Sequence, residues 1–134
     1  MRNFLIKLLV VLPLAFGAVS CNEEEEYIDL TSPYVLFKGD WTGGFSGTDT
    51  GTIEFSVDDN GKISGTLKSG KLPQSNFELD GKVDLNGSVV MNYIYGGTKI
   101  GQFNGKMSDF ASSGSWTSSS SAGNNSGTWN ASKM

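Results

Sequence analysis

The chain has 134 residues, with 10 basic and 14 acidic side chains, no histidine, one cysteine and a formal net charge of −4. Without histidine or a second thiol there is no internal disulfide, no Ser-His-Asp or Cys-His catalytic arrangement and none of the common zinc sites. The lysines are scattered singly, so the basic stripe that nucleic acid requires is missing as well.

Residues 1–20 have the three parts of a secretory signal peptide. Arg2 and Lys7 are the positive region, Leu8 to Val19 the apolar region, and Ala18-Val19-Ser20 the small residues before a cut. A transmembrane helix needs about 20 uninterrupted apolar residues. Lys7, Pro13 and Gly17 interrupt this run and a block of glutamates ends it, so it is expected to be removed rather than to stay as a span.

The stretch Ala18-Val19-Ser20-Cys21 resembles the lipobox of bacterial lipoproteins, with Ala18 where leucine is usual. The following Asn22 and Glu23 to Glu26 are similar to the acidic export tract of surface lipoproteins of Bacteroidota. The resemblance covers residues 1–26. It implies that Cys21 is acylated and that the protein sits in the outer membrane, lipid-anchored and exposed on the cell surface. Each buried methylene contributes about 0.8 kcal/mol, so several acyl chains hold far better than one. Residues 21–37 are then the lipidated cysteine and an acidic tether, from which Tyr27, Ile28 and Leu30 are expected to pack briefly on the domain.

Residues 38–134 form the expected domain. All glycines except Gly17 fall within it, a content that turns and crowded sheets accept and helices do not. Apolar or glycine residues alternate with polar ones in run after run, beginning with Trp41, Gly43, Phe45 and Gly51, Ile53, Phe55, Val57. The runs continue through Ile63 to Leu67, Phe77 to Val83, Val89 to Tyr95, Phe103 to Met107, Gly114 to Trp116 and Gly127 to Ala131. A period of two marks half-buried strands. Eight strands are expected, and no helix.

Asp58-Asp59-Asn60-Gly61 and Asp84-Leu85-Asn86-Gly87 repeat one tight-turn design. Calcium is not expected there, because the first and twelfth positions of an EF-hand loop would be Ser56 and Leu67. A repeated hairpin predicts a meander, and eight strands in a meander predict a small antiparallel β-barrel without edges. An open β-sandwich is the alternative. Loops 58–61, 84–87 and 108–111 should share a tight end with the tether. Loops 46–50, 69–76, 96–98 and 118–125 should share an open end facing away from the membrane, and two of them are long.

Trp41 and Trp129 are expected to meet near the tight end where the barrel closes. Trp116, Tyr95 and Phe77 are expected near the open mouth, with Tyr93 a layer deeper, as candidate ligand-binding residues. The alternative is that they fill a barrel whose interior is just wide enough for side chains. The domain's acids fall in turns or on outward positions, no pair converges, and an enzyme is not expected. No cofactor or metal is implied.

Two functions fit. One is a binding module for a small molecule or glycan; its eight short strands and Gly39-Asp40-Trp41 resemble the lipocalin and avidin barrels. The other is an interaction lipoprotein that holds a protein partner through the barrel wall, where Val90 and Ile94 are apolar on the face expected to be wet.

Overall fold

The computed structural model describes residues 32–120 and 123–134. The expected signal peptide, Cys21 and the acidic run lie outside the described residues. Eight strands follow one another: β1 (Gly39–Gly47), β2 (Gly51–Val57), β3 (Lys62–Ser69), β4 (Phe77–Val83), β5 (Ser88–Tyr95), β6 (Thr98–Met107), β7 (Ala111–Ser120) and β8 (Gly123–Lys133). Each pairs antiparallel with its chain neighbour and β8 pairs with β1, so the meander closes into a barrel and the sandwich is excluded. Closure leaves no strand edge to recruit another chain.

The alternation in the sequence becomes an inside and an outside. Ile53, Phe55 and Val57 on β2 are buried while Thr52, Glu54 and Ser56 face water, and the same holds strand by strand. The inward set fills the barrel. Trp41 stacks on Phe55 with ring centroids 6.1 Å apart, and Phe103 contacts Phe45, Tyr93, Trp116 and Trp129 at 5.8–6.1 Å. Gly127 is required beside this cluster, because a Cβ there would meet the Ser46 carbonyl and lie 2.8 Å from the Trp116 indole nitrogen.

The two Asp-x-Asn-Gly turns are built alike. The Asp58 carboxylate accepts from the Asn60 and Lys62 amides at 2.8 and 2.9 Å, and Asp84 accepts from Asn86 and Ser88 at 2.9 and 3.0 Å. Those backbone donors hold Asp58 below the usual carboxylate range. Gly61 and Gly87 take φ of 79° and 85°, the left-handed region these bulged hairpins need at that position.

Four expectations need correcting. The folded domain takes in residues before Lys38: a turn at 33–37 caps the tight end, burying Phe37 and laying Tyr34 against Gly61. Trp41 donates its indole N–H to the Phe37 carbonyl at 3.0 Å, and Lys133 donates to the Leu36 carbonyl at 2.7 Å. The half-exposed Lys38–Asp59 ion pair adds little to this.

Trp41 and Trp129 both lie on the closing strands but are not partners. Trp129 pairs with Phe45 and Trp41 with Lys133, four register positions away. The expected loop 118–125 is mostly strand, since β7 runs to Ser120 and β8 starts at Gly123. The 96–98 turn shrinks to Gly96-Gly97, with φ of 59° and 81°, which leaves 70–76 as the long open-end connection.

Candidate functional site

The two ends of the barrel differ. The tight end is stoppered by the 33–37 turn, and its rim exposes Leu36, Leu85, Phe110 and Met134. The open end holds a hollow of about 230 Å³, walled by Leu72, Phe77, Tyr93 and Ile100 with Asp49, Lys71, Ser118 and Asn125 among them. Two loops, a β-bulge and the ends of the strands make it.

Asp49 leads into β2 and is 9% exposed. Its carboxylate accepts from Ser69 Oγ at 2.5 Å, from the Thr50 amide at 2.7 Å and from the Lys71 amide at 3.1 Å, while Ser69 Oγ accepts from the Leu72 amide at 3.1 Å. This network folds the start of the 70–76 connection over the mouth and brings Lys71 and Leu72 to its rim. Among the described residues no ammonium forms an ion pair with Asp49. Backbone and hydroxyl donors alone balance its burial.

The bulge lies on β6. Tyr93 pairs with Gly101 and Ile94 with Lys99, which leaves Ile100 as the extra residue. Such an insertion re-aims the side chain. Ile100 is packed against the core and lines the hollow.

Tyr93 is 4% exposed, edge-on to Phe77 at 5.3 Å, and its hydroxyl has no hydrogen-bond partner among the described residues. Burial, and secondarily the charge of Asp49, push its ionisation up to about 12. The phenol is therefore neutral at any ordinary pH and keeps an unused donor and acceptor facing the hollow.

The residues singled out from the sequence separate here. Phe77 and Tyr93 line the hollow. Tyr95 lies on the rim, 50% exposed, with its ring 5.2 Å from Phe77. Trp116 is 1% exposed, lies outside the lining, stacks on Phe103 and donates its indole N–H to the Ser46 carbonyl at 3.0 Å. The order of depth is thus the reverse of that expected for Tyr93 and Trp116.

Val90 is 39% exposed on the outer wall, opposite Lys82 and Asn104, and the half-buried Ile94 is opposite Glu78 and Lys99. Their cross-strand neighbours are polar, so the two do not merge into a broad apolar patch. Among the described residues no three carboxylates or other ligating groups gather to hold a metal ion.

Sequence reasoning missed Asp49, Ile100, Leu72, Ser118 and Asn125. Ser118 and Asn125 continue the inward parity of Trp116 and Trp129, a signal available in the sequence had the strands been extended. In the sequence Asp49 is one more turn acid, with nothing beside it to set it apart. Compared with models of protein families, with curated proteins and with solved structures, the chain matches none.

Proposed function

We propose that this protein is a lipid-anchored binding module of the outer membrane, exposed on the cell surface, that takes a small ligand at the open mouth of a filled barrel. The observation that carries the reading is the hollow beside Tyr93, in which a buried phenol and a buried carboxylate border an apolar wall. Buried polar groups are ordinarily satisfied, and no described residue satisfies this hydroxyl, so it is available to a ligand that reaches the hollow. Unlike the deep calyx of the lipocalin and avidin barrels, this site is shallow, with Phe77 and Tyr93 at its base.

The anchor reading rests on the resemblance around Cys21 and on the difference between the ends. The described chain starts at the tight end, so a tether from Cys21 would bring that end to the bilayer and point the mouth outward. The exposed Leu36, Leu85 and Phe110 suit an apolar boundary. We read the protein as a binder and not an enzyme, because hydrolysis of glycosides needs two carboxylates and, among the described residues, Asp49 is the one acid that lines the hollow.

The second reading is a protein partner held by the wall at Val90 and Ile94. The exposure of Val90 favours it, and the charged cross-strand neighbours weigh against it. Native mass spectrometry of the protein released from its own cells separates the two. Retained small-molecule mass supports the mouth; a co-purifying protein lost on Val90→Asp, with no small mass retained, supports the wall.

A further inference from the structure

We infer that the mouth recognises a neutral sugar ring, a free monosaccharide or the terminal residue of a glycan, held between the Asp49 carboxylate and the Tyr93 hydroxyl. This rests on the mouth-binding reading above and adds the class of ligand.

Three observations select that class. The first is size: a hollow of about 230 Å³ has room for one small ring and not for a lipid or a peptide side chain with its backbone. The second is the polar inventory. A carboxylate has roughly four acceptor positions, and three donors already occupy Asp49, so it can take one further O–H. The Tyr93 hydroxyl is unpartnered among the described residues, and Ser118 and Asn125 also line the hollow. That mixture of donors and acceptors, set beside the apolar Phe77, Leu72 and Ile100, matches a molecule that carries hydroxyls on its edge and C–H bonds on its faces.

The third is charge. An anionic ligand would meet the Asp49 carboxylate at the site. A cationic one would have to pass Lys71 at the hollow, Lys68 near the open end of β3 and Lys99 at the open end of β6. An ion of either sign meets a like charge as well as an opposite one, so attraction and repulsion offset and nothing balances the cost of desolvating it, a cost that a neutral ligand does not carry.

The test is an amide-shift titration of the whole isotope-labelled protein, purified in mild detergent and dialysed. The probes are glucose, galactose and mannose, their methyl glycosides, glucosamine and glucuronate. At least one neutral sugar should saturate shifts at Ile100, Ser118 and Asn125, and glucosamine and glucuronate should bind more weakly than their neutral parent. A glycan terminus as the natural ligand predicts that the methyl glycoside binds at least as well as the free sugar; a free monosaccharide predicts the opposite.

Asp49→Asn should weaken binding on the order of tenfold. Because Asp49 also orders the 70–76 connection, Tyr93→Phe is the second variant: it removes a hydroxyl with no protein partner, so it should weaken binding several-fold while leaving the melt unchanged. Charged sugars binding as tightly as neutral ones, no neutral sugar moving these amides, or Tyr93→Phe leaving affinity untouched would each overturn the assignment. If the sugars fail while Asn125→Trp expels a mass retained from the cell, the mouth reading stands and the ligand class alone is wrong.

Discussion

Replacing Trp116 with alanine distinguishes a barrel filled by its aromatics from one hollow down to Trp116. The indole is 1% exposed, lies 5.9 Å from the Phe103 ring in a stacked arrangement and 5.2 Å from Phe45 edge-on. Its one hydrogen bond among the described residues goes to the Ser46 backbone carbonyl, and a neutral bond of this kind contributes only about 1 kcal/mol. The cavity term dominates. Truncating a buried tryptophan costs about 3–5 kcal/mol, against a total of about 5–15 kcal/mol for a domain of this size. With a urea slope of about 1–3 kcal/mol per molar, the midpoint should fall by roughly 2 M, followed by circular dichroism because the fluorophore itself is removed. Trp116→Phe keeps a ring in the stack and should lose less than half as much. An alanine variant whose stability changes by no more than the roughly 0.5 kcal/mol typical of surface substitutions would refute the filled core and return Trp116 to the mouth.

Four further outcomes are expected. Because burial raises the Tyr93 phenol to about 12 in the folded chain from about 10 when unfolded, the group leaves neutral-pH stability unchanged and lowers it as pH rises from 10 towards 12. Two pH units correspond to about 2–3 kcal/mol, so Tyr93→Phe should flatten the alkaline decline in stability, and parallel curves for variant and parent would disprove the burial of the hydroxyl. Gly127→Ala forces a Cβ against the Ser46 carbonyl and the Trp116 indole and should cost about 1–3 kcal/mol through overpacking at the closing strands; a neutral result in the same melt would mean that β1 and β8 are not held at this register. Cys21→Ser should abolish fatty-acid labelling, and alanine at Glu23 to Glu26 should keep the label but protect the protein from protease added to intact cells; persistent labelling, or unchanged shaving, contradicts the anchor or the export reading respectively.

The barrel was legible because strand period and turn chemistry act locally. Ile53, Phe55 and Val57 declare a face by alternation alone, and Asp58 and Asp84 fold their turns with amides two and four residues away. What escaped depends on distant parts of the chain. The 33–37 turn has no period; it is fixed by Trp41, Gly61 and Lys133 closing around it. Ile100 reads as an outward position until the bulge opposite Tyr93 and Ile94 turns it into the mouth. The Ser/Gly/Asn composition around residues 118–125 suggested a loop, yet cross-strand pairing from Ser118 with Asn125 to Ser120 with Gly123 carries both strands onward. The depths of Tyr93 and Trp116 follow from strand stagger around a closed barrel, which pairwise alternation does not encode. Asp49 resembled every other turn acid because its distinguishing partners, Ser69 and the Lys71 amide, lie 20 and 22 residues away.

The account's central claim is that the open mouth binds, and the most direct test is to plug it. Asn125 lines the hollow near the end of the β7–β8 hairpin, where an indole can fill the space without disturbing the core below. Parent and Asn125→Trp proteins, each released from their own cells, should be compared by native mass spectrometry after their melts are shown to agree. The parent should carry an added small-molecule mass and the plugged variant should carry none. The same mass on both proteins, or on neither, would contradict a binding mouth.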